Sequence, residues 1–151
     1  NYLENKYFMP FSNKINTNDL TLIEIGINLK EKLDELYNDI KIDTVIIENQ
    51  ISPIANRMTT LQGMIAQYFI MKNVNDIHFI SAANKLKEYI STKTTYAERK
   101  SKGIEICEEL LINNENFSNN LEMFNTHKKK DDLADCFLQG IWFLKDKIIY
   151  N

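Results

Sequence analysis

With 151 residues, 44% hydrophobic and 26% charged, the chain is long enough for one ordinary core and reads as a single domain over residues 1–151. Its apolar runs fall far short of a bilayer span and no basic-then-apolar leader opens it, so the expectation is a soluble, intracellular protein of a reducing compartment with no membrane partner. A net charge of -3 argues mildly against nucleic acid as a partner, because phosphates are contacted by Lys and Arg, unless those cations are gathered locally.

Residues 1–17 carry Tyr2, Tyr7, Phe8, Pro10 and Phe11 with no regular period and read as a docking or linker segment. Thr17, Asn18 or Asp19 can cap a first helix running to about Asn38, in which Leu22, Ile25, Leu29, Leu33 and Leu36 recur at helical spacing to pack on a sheet. Next comes T-V-I-I-E-N-Q, Thr44 to Gln50, a β-branched apolar run that ends abruptly in a carboxylate and two amides. It reads as a buried parallel strand of an α/β sheet. Ligands gather at the carboxyl ends of such strands, which puts Glu48 on the active edge; the plainer alternative is a solvated strand-end acid.

Ser52 can cap, and Pro53 begin, a second helix to about Asn73 with Met58, Leu61, Ile65, Tyr68, Phe69 and Met71 as core positions and Gly63 as a point of close helix approach. Ile77 to Ala82 then has strand character, and a right-handed crossover would lay it parallel to the first strand, with His78 structural. Thr94 or Thr95 can cap a helix to about Leu111 whose apolar stripe is Tyr96, Ile104, Cys107, Leu110 and Leu111. Cys107 and Cys136 read as buried free thiols, and the Asn-rich stretch 113–125 as a flexible loop.

Next comes H-K-K-K-D-D-L-A-D-C-F-L-Q-G, His127 to Gly140. A helix beginning near Lys129 sets Asp132 and Asp135 on one face while Leu133, Phe137, Leu138, Ile141 and Trp142 supply buried surface. Paired carboxylates suit a hard divalent cation, although acids in a first helical turn also complement the helix dipole. The cations are unevenly spread: Lys85, Lys87, Lys93, Arg99, Lys100 and Lys102 fall in one stretch, and Lys128, Lys129 and Lys130 adjoin the acids. Such a run is either a solvated face or a nucleic-acid contact.

Together, I-I-E-N-Q at Ile46 to Gln50 and K-K-D-D-L-A-D at Lys129 to Asp135 resemble the second and last catalytic motifs of a known family. It is the Holliday-junction resolvases of large DNA viruses, poxvirus- and mimivirus-like, and of fungal mitochondria, related to bacterial RuvC. The stretch S-P-I-A-N-R-M-T-T-L-Q-G-M-I-A-Q-Y-F-I-M-K, Ser52 to Lys72, is similar to the helix that follows the glutamate strand in the viral members. The likeness runs from about Leu22 to Lys147.

The resemblance implies an RNase H-like fold, a mixed sheet flanked by helices. It also implies Glu48, Asp132 and Asp135 as catalytic metal ligands for two Mg²⁺ ions, with Mn²⁺ as a substitute and Asp131 in support. Lys85, Lys128, Lys129 and Lys130 would contact nucleic acid, the substrate would be a four-way DNA junction, and a homodimer would place paired nicks. The implied setting is DNA recombination and repair in a viral replication compartment of the host cytoplasm. One motif departs: the family's first aspartate lies on an N-terminal strand, whereas I-E-I-G-I-N at Ile23 to Asn28 has helical spacing, so the fold is expected to be partial at its N-terminus. Three alternatives stand beside this one. They are a non-catalytic DNA-binding or assembly module that keeps the fold without the first acid, another RNase H-like strand cutter, and a purely helical interaction module.

Overall fold

The computed structural model describes residues 19–50, 56–90 and 94–150, with side chains as far as Lys147. The expected docking segment at 1–17, the Ser52 and Pro53 cap and Lys93 lie outside those residues. In chain order the elements are α1 (Leu22–Tyr37), β1 (Thr44–Glu48), α2 (Asn56–Met71), β2 (Asp76–Ile80), α3 (Tyr96–Asn113), α4 (Leu121–Thr126) and α5 (Lys130–Tyr150), with 3-10 turns at Asn84–Leu86 and Ser118–Asn120. Among the described residues β1 and β2 form a two-stranded parallel sheet, so the class is mixed α/β and the purely helical alternative falls away. The chain divides into two compact units.

One unit, extending to Asp43 and including Gln50–Asp76, holds α1 and α2. The N-cap of α1 is Thr21, not Thr17, Asn18 or Asp19, because Thr21 has a Glu three residues on: its hydroxyl accepts from the Glu24 N–H at 3.2 Å and its own N–H donates to the Glu24 carboxylate at 2.8 Å. α1 contributes no buried residue. The helices meet closely at Gly26, where a Cβ would stand 3.6 Å from the Met64 side chain. Gly63, expected at a close approach, has open space around it. α2 buries Ala66 and Phe69, whereas Met58 and Met71, expected in the core, are exposed. Met71 lies about 140° round the helix from Ala66 at 3.6 residues per turn, which turns it outward.

The other unit, Thr44–Asn49 with the chain from Ile77 onward, carries the larger core: Leu86, Ile106, Cys107, Leu111, Phe124, Ala134 and Leu138. β1 alternates, burying Val45 and Ile47 and leaving Ile46 and Glu48 half-buried, so it is covered on one face instead of the two that its continuous apolar run suggested. The ladder continues past β1, where the Asn49 N–H donates to the Ile80 carbonyl at 2.8 Å and brings both strand ends together. His78 is structural, its ring 4.9 Å from that of Phe143.

Thr95 caps α3 with a second reciprocal box, paired with Glu98. The buried stripe of α3 is Gly103, Ile106, Cys107 and Leu111; Tyr96, expected in it, is exposed in the first turn with the Lys100 ammonium 5.3 Å from its ring centre. The expected flexible loop at 113–125 contains α4 instead, because Phe117, Leu121 and Phe124 recur at helical spacing: Phe124 is buried and Phe117 packs edge-on against Phe137 at 5.2 Å. Cys107 is buried as expected, and burial pushes its thiol up to about 11, while Cys136 is exposed.

Candidate metal and nucleic-acid site

Glu48 is the last residue of β1, and its Oε2 accepts a hydrogen bond from Gln139 Nε2 of α5 at 2.5 Å. The start of α5 is set by His127, whose Nδ1 accepts from the Lys129 N–H at 3.0 Å just before the helix begins. From there Asp132, Asp135 and Gln139 follow at steps of three and four residues, forming one stripe along the helix. Gln139 therefore joins the strand-end acid to the acid-bearing stripe of α5, one turn beyond Asp135.

The acids differ in what holds them. Asp131 pairs with Lys100 of α3 at 2.5 Å; the ammonium holds the Asp131 carboxyl below the usual aspartate range, and the carboxylate in turn raises Lys100. Asp132 is exposed, its side chain 67% accessible, with Lys129 at 3.9 Å. Asp135 is half-buried and pairs at 2.5 Å with Lys85, whose side chain is only 15% accessible. Gly103 of α3 lies alongside it, at a distance where a Cβ would make an ordinary contact of 4.0 Å with Asp135 Oδ1.

The structure thus brings Glu48 and Asp135 to neighbouring turns of α5 and leaves Asp132 toward solvent. Hard carboxylate oxygens suit Mg²⁺. Among the described residues, however, no three His, Cys, Asp or Glu side chains stand close enough to hold a metal ion. The Glu48 and Asp135 oxygens are the donor type such an ion takes, and the positive charge beside Asp135 is the Lys85 ammonium.

The lysines expected to meet nucleic acid separate in the same way. Lys85 lies in an ion pair, Lys128 and Lys129 are exposed, and Lys130 donates to Asn125 Oδ1 at 3.1 Å with its ammonium 5.7 Å from the Phe124 ring centre. Within the earlier basic stretch Lys102 pairs with Glu105 at 2.9 Å, while Lys87 and Arg99 are exposed. Sequence reasoning missed Gln139 and the Lys100 pair. The signal for Gln139 was its amide, four residues past Asp135 inside the otherwise apolar run Phe137 to Trp142.

A family model described as Poxvirus A22 protein matches residues 9–147. A relative from Acanthamoeba polyphaga mimivirus, "Uncharacterized protein L451", is 28% identical over 145 residues, an alignment covering 81% of this chain and 34% of that protein. The chain spans about a third of the length of that curated relative. No solved structure matches. Among the described residues no helix is long and apolar enough to cross a membrane.

Proposed function

The chain belongs to the poxvirus A22 protein family, and from that premise we propose that it is a structure-selective endonuclease that resolves four-way DNA junctions by Mg²⁺-dependent phosphodiester hydrolysis. The observation that carries this reading is the 2.5 Å hydrogen bond from Gln139 to Glu48, which ties the strand-end acid to the helix face bearing Asp132 and Asp135. Those three carboxylates would hold the cation, with Mn²⁺ able to replace Mg²⁺. When bound, the metal supplies Lewis acidity for activating water and for stabilising the departing 3′ oxygen.

The chain's own residues have separate tasks in this scheme. Asp131, engaged by Lys100, braces the first turn of α5 against α3 and so orients Asp132 and Asp135. Lys128 and Lys129, exposed immediately before α5, attract the phosphate backbone. Lys85 neutralises Asp135, and a cation held at that carboxylate would leave the ammonium available to a phosphate. A two-fold homodimer would place symmetric nicks on a symmetric junction, in a viral replication compartment of the host cytoplasm.

A second reading, a non-catalytic DNA-binding or assembly module, is favoured by one observation: Asp131 and Asp135 both carry lysine ammonium groups at 2.5 Å. The test is cleavage of a synthetic four-way junction against linear duplex by the natural full-length protein, with and without Mg²⁺. Junction-selective, Mg²⁺-dependent nicking is expected. Glu48→Gln or Asp135→Asn should lower it by at least about 100-fold, the scale of losing a transition-state electrostatic contact, while junction binding persists. Unchanged nicking by either variant would remove the site assignment, and binding without nicking by the unsubstituted protein would select the second reading.

A further inference from the structure

We propose that Gln139 is a positioning residue that fixes the Glu48 carboxylate for a divalent cation, an inference that rests on the metal-site reading above. Gln139 is 6% exposed and is the only buried polar side chain among the described residues. Its neighbour Leu138 is 1% exposed, so this is a position where an apolar side chain would serve packing well. A primary amide is tolerated in such a place when its hydrogen bonds are made, and this one is made to a carboxylate 91 residues away in the chain.

The chemistry of that partner matters. Lys85 and Lys100 hold Asp135 and Asp131 by bringing a full positive charge. Gln139 is neutral and orients one oxygen of Glu48 by a hydrogen bond alone. Because Gln139 stands four residues after Asp135, the anchored carboxylate is held alongside the same helical stripe. This is the task of a group that orients a ligand from outside the coordination sphere, and loss of such a group typically lowers metal affinity by about 10–100-fold.

The experiment measures Mn²⁺ binding to the natural full-length protein by electron paramagnetic resonance for the unsubstituted chain, Glu48→Gln, Gln139→Met and the double variant. Gln139→Met keeps an unbranched side chain of similar length without the amide. It should weaken Mn²⁺ binding by roughly 10-fold, and the double variant should bind no more weakly than Glu48→Gln alone. Additive losses would mean that Gln139 serves the fold independently of Glu48 and would overturn the proposal. Unchanged binding by Gln139→Met beside weakened binding by Glu48→Gln would overturn it while leaving the metal-site reading intact. Absence of Mn²⁺ binding by the unsubstituted protein, or full binding by Glu48→Gln, would remove both. Should Gln139→Met not fold, the side-chain amide resonances of Gln139 in the unsubstituted protein decide. They should shift as Mg²⁺ binds, and resonances unmoved at saturation would overturn the proposal.

Discussion

Both units pair acids with lysines, but the acid most strongly engaged and the strand-end acid Glu48 lie in different units. In the α1/α2 unit, Asp34 accepts from the Tyr68 hydroxyl at 2.8 Å and pairs with Lys30 at 2.7 Å and Lys72 at 3.0 Å. Lys30 first, then Tyr68 and Lys72, hold its carboxyl well below the usual aspartate range. In the unit built from β1, β2, α3, α4 and α5, Glu48 is held by a neutral amide and Asp132 faces solvent. The carboxylate most strongly stabilised in its charged form is therefore not a candidate ligand. Perturbed titration here marks an acid engaged by two ammonium groups and a hydroxyl. Rigidity is unequal too: the candidate-site unit supplies a contiguous buried cluster around Cys107 and Leu138, whereas α1 buries nothing and exposes Ile23 and Ile27.

Truncating a buried side chain in one unit and an exposed one in the other gives the largest expected contrast. Leu138→Ala removes a side chain that is 1% exposed and should cost about 2–5 kcal/mol, from lost transfer energy and an unfilled cavity. Met58→Ala in α2 removes one that is 49% exposed and should change stability by no more than about 0.5 kcal/mol. Urea denaturation measures both, and equal losses would break the contrast between the units. A smaller effect sharpens it. Gly63→Ala places a methyl where nothing lies within 4 Å and should stabilise α2 by roughly 0.5–1 kcal/mol through helix propensity alone. Destabilisation would restore the close approach that the sequence had suggested.

Much of the candidate-site unit was legible because its signals are local. T-V-I-I-E announces β1 by its β-branched run, the acids and apolar residues of K-K-D-D-L-A-D-C-F-L announce α5, and T-x-x-E announces the α3 cap at Thr95 and Glu98. The same T-x-x-E pattern at Thr21 and Glu24 was obscured by three other capping residues just upstream. Abundant Asn between 113 and 125 hid the spacing of Phe117, Leu121 and Phe124 that builds α4. Least legible were the pairings. Nothing local tells Lys85 to seek Asp135, or Gln139 to seek Glu48, because each pair is created by the fold bringing distant segments together. The candidate residues could be named from the motifs, but the side chains that hold them in the fold could not.

The gentlest perturbation is pH, and the Asp34 cluster should set both flanks of the α1/α2 unit's stability. Asp34 has a folded-state pKa depressed below its unfolded value near 3.9, so its contribution is fully present above that value and is lost as pH falls through the folded one. Tyr68 behaves in the opposite sense: burial and its hydrogen bond to Asp34 raise it to about 12, above an unfolded value near 10. Its contribution is present below about pH 10 and fades between there and about pH 12. Melting temperature followed against pH should therefore fall at both ends. Asp34→Asn should flatten the acid slope and, by replacing the charged acceptor with a neutral amide oxygen, weaken the alkaline one, whereas Tyr68→Phe should abolish the Tyr68 contribution to the alkaline slope and leave most of the acid one. The acid slope should not vanish in Asp34→Asn, because Asp131 is also depressed by Lys100 in the other unit. Asp131→Asn should remove the Asp131 share of the acid slope and, because the Asp131 carboxylate raises Lys100, should also weaken stability on the alkaline side; an acid slope unmoved by Asp131→Asn would show that the Asp131–Lys100 pair contributes nothing there.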